Sequence, residues 1–383
     1  MNGIVDGCRS ILLQDYLDAI RPTDRLSEDD LRPVLMGLFG EVGSIMAPAK
    51  KLHREREAYK GYEAAVEEEF GDALWYFAAL ARRLDVSLPM ILSNATRNSG
   101  YTMTVAASDV ATSPIVHISS ALALRNLDDA LLDLGHSAAA LLALRENVSN
   151  GEHLLQNFAG SYLHALQAAN ITFSRVLHRN LTKASGRFLM PDISTLPTFD
   201  DTFDEEERLP AHFEIVIKQR RNGQSCLQWN GVFIGDPLTD NIEDRDGYRF
   251  HDVFHFAHAA ILHWSPTFRA LIKHKRKSVS SIDEAQDGGR AIVVEEGLTA
   301  WLYSRAKSLD FFEGQTGVSF DLLKTIGEFV RGYEVEACPL KLWEDAILQG
   351  YAVFRKVVTS SGGVVIGDRA SRKLTFRRLD EID

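Results

Sequence analysis

Residues 37–52, GLFGEVGSIMAPAKKL, followed by residues 67–84, EEEFGDALWYFAALARRL, decide how the first half of the chain is read. In both stretches large apolar residues return at three- and four-residue spacing, the repeat of a helix with one buried face, and alternating β-branched runs are scarce. On the second helix Glu69 and Asp72 stand three apart and Glu68 stands four before Asp72. These carboxylates therefore share a side, while Leu, Trp, Phe and Ala occupy the other. On the first helix Glu41 stands alone among glycines and large apolar residues, where an unpaired carboxylate is costly to bury. Acids near a helix N-terminus are ordinarily a solvated face favoured by the helix dipole. The isolated Glu41 tips the reading towards acids of two helices meeting around a cation. Oxygen donors of this kind suit Mg²⁺, or Mn²⁺ in its place, completed by waters and substrate phosphates.

Working outward, the helical spacing runs from Ile11 to about Gly186, which predicts an all-α half over residues 1–190. Within it the sequence resembles itself at a shift of roughly 85 to 95 residues. Residues 131–144, LLDLGHSAAALLAL, match the Glu41 helix, and residues 162–180, YLHALQAANITFSRVLHRN, match residues 74–94, LWYFAALARRLDVSLPMILSN. This suggests a degenerate tandem repeat, 10–101 and 115–188. In the second copy His136 stands opposite Glu41 and no acidic cluster replaces Glu67 to Asp72. Shared apolar spacing alone is the competing explanation.

Residues 191–211, with prolines and an acidic cluster, read as a linker that cannot bury much apolar surface. Beyond it, residues 213–235 hold short β-rich runs separated by Asn-Gly, and residues 362–379 read as a terminal hairpin. Helical spacing lies between them, near 249–262, 291–307, 320–332 and 341–357. The second domain, 212–383, is thus expected to be mainly helical with a small antiparallel sheet, and the whole chain α+β.

Composition narrows the function. A length of 383 residues suits two cores, and 45% hydrophobic with 25% charged residues fits an ordinary globular protein. A formal charge of −11 argues against extensive nucleic-acid binding, which needs many phosphate-neutralising cations. A small polyanion held through metal stays compatible. Cys8, Cys226 and Cys338 form no CxxC pair, so neither a disulfide framework nor a cysteine zinc site is indicated and a reducing cytoplasm fits. No run of about 18 apolar residues and no signal-like N-terminus occurs, so neither membrane insertion nor export is expected.

Two further stretches carry chemistry. Residues 171–188, ITFSRVLHRNLTKASGRF, place Asn180, Lys183 and Arg187 on one stripe, an amide and two cations fit for phosphate. Lys and Arg near a helix C-terminus also serve its dipole without any ligand. Asn94 and Arg97 hold the corresponding place in the first copy, and Lys50 and Lys51, just past Glu41, are further phosphate candidates or simply solvated lysines. In residues 248–266, YRFHDVFHFAHAAILHWSP, His251, His255 and His258 share a stripe at metal-ligand spacing. Glu295 and Glu296 lie on a later apolar helix. These five either hold a transition metal between helices or hydrogen-bond to one another and fix packing; no HExxH signature accompanies them. The run Lys273–Lys277 with residues 287–290, DGGR, is an anion-loop candidate or a solvated surface.

Over residues 30–100 the pattern, including GD-x-LWY after the acids, resembles the MazG-like all-α nucleoside triphosphate pyrophosphohydrolases. That resemblance implies Mg²⁺-dependent cleavage of a (deoxy)nucleoside triphosphate to monophosphate and pyrophosphate, in pool sanitation or depletion under stress or phage attack. It implies Glu41, Glu69 and Asp72 as metal ligands and Glu68 as a neighbouring acid that orients water. It also implies a homodimer, and it matches Asn180, Lys183 and Arg187 to the NxxK…R element that closes such domains. The family's ExxE pattern is broken here, because Ser44 stands where the second glutamate belongs. Residues 212–383, with HDVFH, DGGRA and EEG, resemble the C-terminal domain attached to some MazG-like proteins, a likeness that brings no biochemical role. Two other functions stay open: a nucleotide sensor with weak turnover, suggested by Ser44 and the acid-poor second copy, and a metallohydrolase centred on the histidine-rich domain.

Overall fold

The computed structural model describes residues 13–56, 61–98, 104–108, 111–115, 126–145 and 151–381. The chain divides into two compact units, Met1–Leu189 and Met190–Asp383.

The first unit is built from α1 (Leu13–Ile20), α2 (Leu31–Glu55), α3 (Tyr62–Arg83), α4 (Leu88–Asn98), α5 (Leu127–Leu141), α6 (Gly151–Ala168) and α7 (Phe173–Phe188). Capping fixes several starts: the Asp30 side chain accepts from Arg32 N, Asn126 from Asp128 N and Thr172 from Arg175 N. Along α2 the buried residues Val34, Leu38, Val42 and Ile45 recur at helical spacing, as do Val66, Phe70, Ala73, Leu74 and Phe77 along α3. These stripes pack together, and aromatic edges lock α3 to α6: Phe70 meets Tyr162 at 5.4 Å and Phe77 meets Phe158 at 4.8 Å. The packing maps onto itself when the helix triplets exchange: α2 on α3 and α5 on α6, α3 on α7 and α6 on α4, with α2 against α5 between them.

The helical first half holds an addition, a short hairpin between the triplets in chain order. Thr104–Ser108 (β1) and Ala111–Ile115 (β2) pair as an antiparallel hairpin. The β-branched Thr104, Val105, Thr112 and Ile115 favour extended backbone, and Pro114 disfavours helix.

The second unit has a five-stranded antiparallel sheet of order β5-β4-β3-β6-β7, formed by β3 (His212–Gln219), β4 (Ser225–Trp229), β5 (Val232–Leu238), β6 (Gly362–Asp368) and β7 (Lys373–Arg377). Asn230 and Gly231, both at positive φ, join β4 to β5 in the tight turn that the Asn-Gly pair foretells. Phe213, Ile215 and Ile217 alternate inward along β3. Against the sheet pack α8 (Asp252–Ala257), α9 (Pro266–Ile272) and α13 (Leu340–Ser360); α11 (Gly289–Lys307) and α12 (Phe320–Phe329) pack on those helices, α10 (Ser280–Ala285) packs on α11, and strands and helices share one core. Gly350 of α13 lies against α8, where an added Cβ would stand 3.1 Å from Ala257 Cβ, so the two helices cross closely.

The segment expected as a linker is instead part of this unit. Asp200 is buried and pairs with Arg269 at 2.5 Å and Arg369 at 2.7 Å, while Leu209 N donates to it at 2.8 Å. Hydrogen-bonded anchoring replaces the apolar burial that the segment lacks. The basic run is likewise internal at Arg276, which is 1% exposed and clamps Asp287 at 2.7 Å and Glu334 at 2.6 Å.

Candidate functional site

Helices α2 and α3 bring together the acids that the sequence singles out. Glu41, Glu69 and Asp72 each offer a carboxylate oxygen within 4.8 Å of the others, at half-buried positions. Burial raises the Glu41 carboxyl to about 7, helped by the charges of Asp72 and Glu69 and by a hydrogen bond with Glu69. A group in that state marks a pocket short of positive charge, and an oxygen-only donor set at this spacing fits a hard divalent cation.

Helix α7 supplies the opposing charge. Lys183 pairs with Asp72 and, at 2.9 Å, with Glu68. Burial disfavours its ammonium, yet Asp72 and Glu68 outweigh burial and raise it above its ordinary value. Asn180 is buried; it donates to Asp72 Oδ1 at 3.2 Å and accepts from the Tyr16 hydroxyl at 2.7 Å. Expected to face a phosphate, the Asn180 amide here orients a carboxylate with one of its two N–H donors. Arg179 approaches Glu68 at 3.6 Å, and Arg175 pairs with the buried Glu67 at 2.5 Å. Gly71 makes this approach possible, because a Cβ there would stand 2.8 Å from Asn180 Cβ.

Arg187 packs 5.3 Å from the Phe188 ring centroid. Lys50 and Lys51 are exposed on the last turns of α2, roughly 13 Å along the axis from Glu41. Asn94 is half-buried on α4, the helix that packs on α6, and the side chain of Arg97 falls outside the described residues. Ser44 is half-buried one turn along α2 from Glu41. His136 lines an open groove with Asp133, His153, Asn157 and His164. The sequence reading missed Tyr16, Arg175 and Arg179, since long-range partners of α3 leave no mark in local spacing. Gly71, set between Phe70 and Asp72, was the one visible hint of a close crossing.

In the second unit, His251, Asp252 and His255 form one buried group with ligand atoms within 4.8 Å, and His255, His258 and Glu295 form another. His251 caps α8, His255 lies within it, and His258 opens the π-helical turn over His258–Leu262 into which α8 passes, a distortion that favours functional positions. Glu295 Oε1 accepts from His258 Nδ1 at 2.9 Å, and its Oε2 accepts from Ser265 Oγ at 3.1 Å and Thr267 N at 2.9 Å. Burial opposes the Glu295 charge, but His255 and His258 hold its carboxyl well below the usual range. Glu296 is drawn down to about 2 against burial by His251 and His255.

Comparison with known proteins places the second unit. Residues 194–380 match the family model described as the MazG C-terminal domain. Over 67 residues the chain is 39% identical to Gene 37 protein of Mycobacterium phage L5, a match covering 17% of this chain and 59% of that relative. No solved structure matches the chain.

Proposed function

We propose, from the match of residues 194–380 to the MazG C-terminal domain, that the chain is MazG-like and that its first unit is a divalent-cation-dependent nucleoside triphosphate pyrophosphohydrolase. One observation carries the reading: three carboxylates from α2 and α3 converge within 4.8 Å, and Lys183 from α7 pairs with one of them, Asp72, and with the adjacent Glu68. Glu41, Glu69 and Asp72 would hold Mg²⁺ or Mn²⁺, which when bound supplies charge neutralisation and Lewis-acid polarisation of the phosphates. The chain's own side chains do the rest. Asn180, fixed by Tyr16, holds Asp72 in one rotamer, and Lys183 ties Asp72 to Glu68 so that both keep their place. Glu68 is the acid left to orient an attacking water and take its proton. Cleavage between the α- and β-phosphates then releases pyrophosphate in one piece.

The test is a panel of ordinary and damaged (deoxy)nucleoside triphosphates with Mg²⁺ or Mn²⁺, assayed for monophosphate and pyrophosphate. Glu69→Gln is expected to lower kcat/KM by at least about 100-fold, since even groups that only support such ligands are worth 10- to 100-fold. Turnover unchanged in Glu69→Gln would discard the site. Ser44 favours a second reading, a nucleotide sensor. Under it the protein binds triphosphate with Mg²⁺ without releasing pyrophosphate, and Ser44→Glu confers turnover. A homodimer in the cytoplasm completes the proposal, with light scattering as its check.

A further inference from the structure

Helix α8 and the middle of α11 enclose a second group of ligating side chains, far richer in nitrogen than the acids of the first unit. His255 is fully buried, and neither of its ring nitrogens makes an aligned hydrogen bond. Yet Glu295 Oε1 lies 3.1 Å from its Nδ1 and Glu296 Oε1 lies 3.3 Å from its Nε2. Orphaned polar atoms in a core are costly, so their place needs a partner. His251 gives the direction. Its Nδ1 donates to the Tyr248 carbonyl at 2.9 Å and its ring stacks on Tyr248 at 4.3 Å, which leaves Nε2 as the lone-pair nitrogen. That Nε2 faces Glu296 Oε2 at 3.5 Å.

We propose that His251, Asp252 and His255, whose ligand atoms lie within 4.8 Å of one another, form with the neighbouring Glu296 a binding site for one divalent transition-metal ion, zinc or a neighbouring d-block ion. Glu296 spans the two imidazoles with one oxygen each, Oε2 at 3.5 Å from His251 Nε2 and Oε1 at 3.3 Å from His255 Nε2. The carboxylate of Asp252 lies within 4.8 Å of ligand nitrogens on both rings and is 5% exposed. Supporting contacts follow the pattern of metal-bound histidine, in which the second ring nitrogen is held by a carbonyl or carboxylate. Tyr248 O does this for His251. For His255 the matching group is Glu295, 3.1 Å from Nδ1 though out of line for a hydrogen bond, and itself fixed by His258, Ser265 and Thr267. Two imidazoles select a d-block ion over Mg²⁺. Glu296 is 38% exposed, so ions and chelators reach the site from its side. The competing account is an imidazolium at His255 bridging Glu295 and Glu296 with no ion.

The experiment uses the full chain, purified without immobilised-metal resin. Metal content is read by plasma mass spectrometry, and the chelator-treated protein is titrated with Co²⁺ while visible absorption and thermal unfolding are followed. The site predicts about one equivalent of transition metal per chain, cobalt d–d bands, and a higher Tm on reloading. Glu296→Gln and His251→Asn are expected to weaken Co²⁺ binding by at least about 10-fold, whereas Glu69→Gln retains it. Because Glu296 is partly exposed, its glutamine variant keeps the test valid should His255→Asn fail to fold. A folded wild-type chain without transition metal, without cobalt bands and with Tm indifferent to metal would overturn the site in favour of the imidazolium. Wild-type Co²⁺ binding in Glu296→Gln would overturn it equally. None of these readouts needs triphosphate turnover, so failure here and failure of the proposed hydrolase are told apart.

Discussion

At the scale of single residues, Gly71 sets how closely α7 approaches α3. A methyl group there meets Asn180 Cβ at 2.8 Å, well inside contact distance. Gly71→Ala is expected to destabilise the first unit by about 1 to 3 kcal/mol through overpacking, measurable by urea unfolding. It is also expected to reduce turnover, because the shift carries Asn180 and Lys183 away from Asp72. Lys183→Met separates two roles. If Lys183 positions carboxylates, the half-saturating Mg²⁺ concentration changes by about 10- to 100-fold. If it instead grips phosphate, KM for the triphosphate rises and the metal dependence stays put. Ser44→Glu restores a fourth acid, and under the catalytic reading it is expected to tighten Mg²⁺ dependence.

At the scale of elements, most helices were legible because apolar residues at 3.6-residue spacing have few other uses. Glu41, Glu69 and Asp72 were legible for the same reason, acids standing out against an apolar face. Lys183 was legible only as one of a stripe with Asn180 and Arg187. Spacing put the three on one side of α7 and could not say which would reach α3. The hairpin β1–β2 escaped notice because TVAAS and ATSPI have no long alternating run. The segment 191–211 was misread for a physical reason: its attachment rests on one buried aspartate, and hydrogen-bonded anchors leave no periodic trace. The exchange-symmetric packing of α2–α4 with α5–α7 is the arrangement that two related triplets would adopt. It leaves His136 in the groove of the second triplet.

At the scale of the molecule, Asp200 governs whether the second unit closes. Burial opposes its charge, but Arg369 and Arg269 win and hold the carboxyl below its usual range. A depressed folded-state value means the stabilisation is complete above the ordinary 3.8 and is lost as pH falls through the folded value. Acid unfolding of the second unit should therefore set in below about pH 4. Asp200→Asn should cost about 3 to 5 kcal/mol at neutral pH, since it removes the carboxylate that pairs with two buried guanidinium groups, and should flatten the acid limb of the stability profile. Calorimetry on both proteins checks this. Among the described residues no helix is long and apolar enough to cross a membrane.

The pairing of β3 with β6 has a consequence for biosynthesis. The central strand of the sheet, complete at Gln219, finds its neighbour only at Gly362–Asp368, after every helix of that unit has been made. Until then its backbone donors and acceptors have one open edge, the kind of ledge on which nascent chains stick to each other. A ribosome that stalls or terminates before residue 362 would therefore release a chain with a sticky, unclosed sheet.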